Sequence, residues 1–145
     1  MEKEKTFSYT VEQTLTEGSM LDVLTTAFEG GIGYWACLDN GHPDWVEARK
    51  QWKEANKTEE DPDPQPCYCD TALQVLKNGK AIILYDEEDD DKELHLTLEN
   101  LLKGCQIYAT KRGKSVQKML DEGEFDACDA DCIVQYAIFG EIVYA

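Results

Sequence analysis

Positive charge is scarce in this chain. Its 145 residues include 14 Lys and Arg against 30 Asp and Glu, which gives a formal net charge of −16 at pH 7. Such an excess of carboxylates repels the phosphates of a nucleic acid. The best basic cluster, Lys111, Arg112 and Lys114, is short. We therefore expect no direct binding to nucleic acid.

Long apolar runs are also missing. No stretch approaches the roughly 20 apolar residues that a membrane-spanning helix needs. The N-terminal sequence MEKEKTFSYT lacks the apolar core of a signal peptide. We therefore expect a cytoplasmic protein with no membrane partner, and we expect its six cysteines to be mostly reduced.

Signatures of catalysis are absent as well. The two histidines, His42 and His95, belong to no Ser-His-Asp or Cys-His motif, and the chain has no GxxxxGK[ST] or GxGxxG loop. The segment EGGIG at residues 29–33 follows a predicted helix, whereas a phosphate-binding loop follows a strand. We predict that the protein is not an enzyme and uses no cofactor.

Helical patterns dominate what is present. Apolar spacings of three and four residues, with capping residues before them, predict six helices. Gly30 and Gly31 are expected to end the first of these, because glycine accepts a left-handed cap without steric cost. Gly104 leaves the length of the fourth uncertain. The six begin at about residues 19, 43, 71, 98, 116 and 127, and the last ends at residue 139.

Strand patterns are fewer. Residues 80–86 and 93–98 predict a β-hairpin with the acidic sequence EEDDDK at its tip. Shorter strands are expected at 7–11 and 141–144, and residues 32–38 are expected to form a strand or an extended turn. Residues 57–66, with three prolines and four acids, predict a loop. The expected fold is one α+β domain over residues 1–145, with several helices packed on a small antiparallel sheet.

Four cysteines raise the question of zinc. Cys67 and Cys69 lie in a loop, and Cys128 and Cys132 share one face of a helix, but neither pair has the CxxC form of a structural zinc site. The alternative is that these residues, like Cys37 and Cys105, are small core side chains. We favour the alternative and predict no bound metal.

Two acidic tracts stand out. Residues 86–93 hold seven acids and one lysine, and residues 121–131 hold six acids and no base. Neither has the glycine placement of a calcium loop. They are either solvated surface or a mimic of spaced phosphates that binds a basic groove on another protein. The candidate partner-binding residues are Glu87, Glu88, Asp89, Asp90, Asp91, Asp121, Glu122, Glu124 and Asp126.

The segment AFEGGIGYWACLDN at residues 27–40 also has two interpretations. The first is a helix stop followed by aromatic residues that fill the core, which we favour. The second is a ligand pocket whose walls are Tyr34, Trp35 and Trp45 and whose ligand is a small nucleotide.

Three segments carry a resemblance to known proteins. The sequences AFEGGIGYW at 27–35, LHLTLENLL at 94–102 and QYAIFGEIVY at 135–144 together resemble a family of small acidic proteins encoded by bacteriophages and prophages. The resemblance covers most of the chain but not residues 45–66. The family has no agreed activity, so the resemblance implies a phage context in a bacterial cytoplasm and transfers no catalytic residue.

These observations favour a non-enzymatic phage accessory protein that binds and blocks a host nucleic-acid-binding or defence protein through its acidic surface. The alternatives are a small-nucleotide-binding protein that sequesters a signal and a zinc-stabilised structural module. The sequence leaves the oligomeric state open and allows a homodimer paired through an edge strand at residues 142–144.

Overall fold

The computed structural model describes residues 3–145, except for the side chain of Asp90. Residues 1 and 2 of the predicted domain lie outside that description. The described chain is an α+β fold of helices and a three-stranded antiparallel sheet, as predicted. The helices are α1 (Glu17–Thr26), α2 (Pro43–Asn56), α3 (Tyr68–Lys77), α4 (Leu98–Arg112), α5 (Val116–Asp121) and α6 (Ala127–Phe139), and the strands are β1 (Ala36–Leu38), β2 (Ile82–Asp86) and β3 (Asp89–Leu96).

Local capping signals account for the helix ends that the sequence predicted well. Asp126 Oδ1 accepts a hydrogen bond from the backbone N–H of Asp129 at 3.1 Å, and Gly140 follows α6 with a φ of 75°. Ser115 caps α5 in the same way, and Pro43 occupies the first turn of α2. The predicted bounds of α6 are confirmed.

Two helices begin earlier than predicted. Thr16, rather than Ser19, caps α1, and its Oγ1 accepts from the N–H of Ser19 at 3.1 Å. Asp70 precedes the predicted start of α3 at residue 71 and would be its cap there, but it lies inside the first turn and accepts from the N–H of Cys67 at 3.2 Å. Both acceptors satisfy N–H groups that a helix start leaves without partners.

The sheet has the strand order β1-β2-β3, with β2 in the centre. Leu84 of β2 is opposite Leu38 of β1 and Leu94 of β3. The predicted hairpin is confirmed, but β3 begins at Asp89, so only Glu87 and Glu88 form its turn. Much of the predicted acidic tip is therefore strand.

Two predicted strands are wrong. Residues 7–11 and 141–144 have no strand partner in the described chain. At the N-terminus, Phe7 and Tyr9 are almost fully exposed, so this segment gains nothing from core packing. Residues 57–66 form the predicted loop, tied to α2 by an ion pair of 2.6 Å between Lys53 Nζ and Asp63.

The core lies where the sheet, α1, α3, α4 and α6 meet. Within residues 3–145, no helix is both long and apolar enough to cross a bilayer. Helix α4 continues through Gly104 to Arg112, beyond the predicted end near residue 109. The glycine that made its length uncertain is a packing residue.

Gly104 allows α4 and α6 to approach closely. A Cβ atom at this position would collide with the carbonyl oxygen of Ile133 and lie 2.9 Å from the backbone nitrogen of Ala137. A Cβ at Gly31 would lie 3.0 Å from the carbonyl oxygen of Ala127. Both glycines therefore give α6 room against neighbouring backbone.

Gly31 does not end a helix in the way that the sequence predicted. Neither Gly30 nor Gly31 has a positive φ, and α1 passes into a π-helical turn, Ala27–Gly31. The double glycine is thus explained by its contact with α6 and not by a left-handed cap.

We expect Gly104→Ala to lower the free energy of unfolding by about 2–3 kcal/mol, because the added methyl group must push α4 away from α6. Chemical denaturation measures this change. Gly18→Ala is the matched control: Gly18 lies in α1 with open space around it, so the same substitution there should stabilise by up to about 1 kcal/mol. Equal effects at the two positions would contradict the packing role.

Candidate functional site

The segment after the double glycine is anchored by Asp131 of α6. Trp35 is only 1% exposed, and its Nε1 donates to Asp131 Oδ1 at 2.7 Å. The neighbouring Tyr34 is 51% exposed, but its hydroxyl donates to Asp131 Oδ2 at 2.6 Å. Trp35 therefore fills the core as the favoured interpretation predicted, whereas Tyr34 lies at the surface and the predicted glycine stop is absent.

The three residues of the predicted ligand pocket are divided between two places. The ring of Trp35 stacks on Tyr144 with centroids 5.3 Å apart and an interplanar angle of 9°. The ring of Trp45 contacts Tyr68 instead, at 6.1 Å. Desolvation of the Tyr34 hydroxyl, followed by its hydrogen bond to Asp131, raises the pKa of Tyr34 to about 12. The polar atoms of Tyr34 and Trp35 are thus occupied by the protein itself.

Gln135 joins Asp131 to the C-terminal segment. Its Oε1 accepts from the backbone N–H groups of Val143 and Tyr144, both at 2.8 Å, and its Nε2 donates to Asp131 Oδ1 at 2.9 Å and to the carbonyl of Tyr144 at 3.0 Å. The side-chain amide thus bonds the backbone as a neighbouring strand would, although residues 141–144 belong to no sheet.

Tyr144 in turn holds the turn of the β2–β3 hairpin. Its hydroxyl donates to Asp86 Oδ2, and Asp86 Oδ1 accepts from the N–H of Glu88 at 3.0 Å. The N–H of Glu87 donates to the carbonyl of Trp35 at 2.8 Å. The bond from Tyr144, followed by that from the Glu88 N–H, lowers the pKa of Asp86, and the same pairing raises the pKa of Tyr144 to about 12.

We call Glu87, Glu88, Asp89 and Asp91 the acidic hairpin. All four are exposed, and among the described residues none forms an ion pair with Lys or Arg. The lysine of this tract, Lys92, lies over the ring of Phe139 with its Nζ 5.5 Å from the centroid. The fifth predicted residue, Asp90, has a side chain outside the description. The acidic hairpin is therefore a group of carboxylates without a cationic partner in the described chain.

The second acidic tract is engaged within the protein. Lys114 Nζ contacts Glu122 at 2.8 Å and Glu124 at 2.6 Å, which lowers the pKa of Glu122 and raises the pKa of Lys114. Asp121 accepts from Gln117 Nε2 at 2.9 Å, and Asp126 caps α6. Each of these four predicted residues thus has a structural partner.

The two tracts lie at opposite ends of α6. Asp126 precedes the first residue of α6. At the other end, Lys92, which follows Asp91 of the acidic hairpin, contacts the ring of the last residue, Phe139. Thirteen residues of helix span about 20 Å. The two predicted acidic tracts are thus associated with different ends of α6.

The cysteines are arranged differently from the expectation. Cys67 and Cys69 form a disulfide, and Asp70 lies within reach of both sulfur atoms. Within the described residues, Cys128 and Cys132 do not join this group. Cys69 and Cys105 are buried, as predicted for small core residues, but that prediction is wrong for the exposed residues Cys37, Cys67 and Cys128.

Sequence reasoning missed the residues that build this site. Asp131 and Gln135 are separated by four positions, a spacing that places them on one face of a helix, and this was the available signal. Asp86 and Tyr144 are 58 residues apart, so no local pattern pairs them. Within the acidic tracts, sequence cannot distinguish a buried carboxylate from an exposed one.

Comparison of the chain with protein-family models, with curated proteins and with solved structures gives no match. The resemblance to phage-encoded proteins therefore stays a prediction.

We expect Asp131→Ala to lower the free energy of unfolding by about 3 kcal/mol, because it removes a charged acceptor and leaves the buried Trp35 Nε1 without a partner. Urea denaturation followed by tryptophan fluorescence measures the loss. Asp121→Ala, on the surface, is the matched control and should change stability by less than about 0.5 kcal/mol. Similar losses in both variants would refute the anchoring role of Asp131.

Alkaline pH should weaken the fold through Tyr144. Its pKa is about 12 in the folded protein and about 10 when unfolded, so its stabilising contribution is complete below about pH 10 and is lost as the pH rises toward 12. Tyr144→Phe should therefore lose less stability between about pH 9 and about pH 11 than the unchanged protein does. Tyr9→Phe, in the exposed N-terminal segment, should lose as much stability over this pH range as the unchanged protein does.

Proposed function

We propose that this protein binds a basic surface of a nucleic-acid-binding or defence protein of a bacterial host and blocks it by occupying the site of a phosphate backbone. The binding residues are those of the acidic hairpin. The observation that carries the proposal is that these carboxylates are exposed and, within the described chain, have no Lys or Arg partner. They lie at a turn that is held by the hydrogen bonds of Asp86 to the Tyr144 hydroxyl and to the N–H of Glu88.

The hydrogen bonds that hold the turn support this role. A carboxylate group imitates phosphates only if it is presented in a fixed arrangement, because ordering a flexible loop on binding costs conformational entropy. Tyr144 and the backbone of Trp35 hold the turn through Asp86 and Glu87, before any partner arrives. The exposed carboxylates beside these anchors are therefore preorganised for arginine and lysine side chains.

The ion pairs within the second acidic tract exclude that tract from the proposed binding site. Glu122 and Glu124 share Lys114, so a partner would have to compete with an existing cation there. We accordingly assign the binding to the acidic hairpin and give the tract at residues 121–126 a structural role. A net charge of −16 steers a basic partner toward the protein from a distance, while the hairpin supplies the local contact.

The test neutralises the acidic hairpin without changing its shape. The quadruple variant Glu87→Gln, Glu88→Gln, Asp89→Asn and Asp91→Asn should bind its partner at least roughly tenfold more weakly, because close charge pairs dominate such contacts. The protein as it exists is immobilised and exposed to bacterial lysate. A specific partner should be released by duplex DNA and by ~0.5 M salt, where the screening length is about 4 Å.

The matched control removes the same number of negative charges at other exposed positions. The quadruple variant Glu47→Gln, Glu54→Gln, Glu59→Gln and Glu60→Gln alters exposed acids on α2 and in the following loop and gives the same net charge. It should retain the partner. If both variants lose it equally, net charge and not the acidic hairpin is responsible. A partner that duplex DNA does not release would contradict phosphate mimicry.

A further inference from the structure

The Cys67–Cys69 disulfide lies at the edge of an apolar cleft. The cleft has a volume of about 200 Å³, and its walls include Phe28 and Tyr68. A second cleft of about 240 Å³ shares these two aromatic residues and extends to the exposed thiol of Cys37. The disulfide therefore opens into a groove that can hold more than a water molecule.

The two sulfur atoms differ in access. Cys67 is exposed at the N-cap of α3, whereas Cys69 is 7% exposed in its first turn. Both cysteines line the cleft, but Cys67 is the more exposed, so an incoming thiolate attacks the Cys67 sulfur and Cys69 is the group that leaves. The positive end of the ten-residue helix α3 lies beside both cysteines, since Cys67 is its N-cap residue and Cys69 is in its first turn.

Asp70 places a carboxylate beside the disulfide. Its Oδ2 lies 3.1 Å from the Cys67 sulfur and also accepts from the N–H of that residue. The same carboxylate lies within 4.8 Å of the Cys69 sulfur, so it places negative charge beside both sulfur atoms. The disulfide also encloses a single residue, Tyr68, so loop closure contributes little to keeping it formed.

We propose that Cys67–Cys69 is a thiol–disulfide exchange site, whose substrate is a thiol carried on an apolar or positively charged molecule such as a cysteine in a basic peptide. Phe28 and Tyr68 supply the apolar surface of the cleft. Glu29, which lines the cleft, and Asp70 beside Cys67 supply negative charge that disfavours anionic thiols. This site is independent of the acidic hairpin.

The exchange balances as two displacements. The thiolate of the substrate attacks the Cys67 sulfur, the Cys67–Cys69 bond breaks, and Cys69 leaves as a thiolate and takes up a proton. A second substrate thiolate then attacks the substrate sulfur of the mixed disulfide, and Cys67 leaves as a thiolate and takes up a proton. The products are the substrate disulfide and the reduced Cys67 and Cys69 pair, which has gained two electrons.

The first test compares three small thiols of different charge: cysteamine, 2-mercaptoethanol and 2-mercaptoethanesulfonate. Reduction of Cys67–Cys69 is followed by differential alkylation and peptide mass mapping in a Cys37→Ser background, with rates expressed per thiolate. We expect cysteamine to react roughly fivefold faster than the sulfonate, since each charge pair acts through water. Glu29→Gln should lower the ratio of the cysteamine rate to the sulfonate rate. The oxidised peptide of residues 65–71 lacks the groove and Glu29, so it should show a smaller rate ratio than the protein.

The second test uses single cysteines to assign the attacked sulfur. In Cys69→Ser, cystamine should form a mixed disulfide at Cys67 at least roughly tenfold faster than it forms one at Cys69 in Cys67→Ser, because Cys69 is buried. The proposal is overturned if the two residues react equally. It is also overturned if charge has no effect on the reduction rate, or if the pair stays reduced in the unchanged protein after exposure to oxidised glutathione.

Discussion

The carboxylate of Asp131 accepts hydrogen bonds from Trp35, Tyr34 and Gln135, and the position of the acidic hairpin depends on this buried interaction. An unpaired carboxylate in the core would be costly, so its donors must stay in place. Gln135 extends the network to the backbone of Tyr144, and the Tyr144 hydroxyl carries it to the hairpin turn. A substitution inside the core can therefore move residues on the surface.

The acidic residues of the chain have different roles, because some carboxylates are bound within the fold and others are free to contact a partner. Carboxylates at Asp131 and Asp86 are acceptors within the fold, and Glu122 and Glu124 are held by Lys114. Of the two predicted groups of partner-binding acids, the acidic hairpin is the one whose carboxylates have no Lys or Arg partner in the described residues. The net charge of −16 thus overstates the number of carboxylates available to a partner.

Sequence patterns predicted the parts of the fold that depend on neighbours along the chain. Helix α6 was placed correctly because its apolar face repeats every three or four residues and Gly140 is a local stop signal. Gly31 and Gly104 were misinterpreted because their role depends on α6, which is distant in sequence. The α+β class was therefore predictable, whereas the Asp131 network and the bond from Tyr144 to Asp86 were not, since long-range pairs leave no periodic signal.

The location of the disulfide argues for two separable properties in one small fold. Cys67 and Cys69 begin α3, and their cleft is lined from the α1 side by Thr25 and Phe28. The acidic hairpin is held instead by the C-terminal segment and α6. No hydrogen bond of the Asp131 network involves Cys67, Cys69 or Asp70 within the described chain. Opening the disulfide would therefore change the α3 end of the molecule while the preorganised carboxylates keep their arrangement, so binding and exchange need not compete.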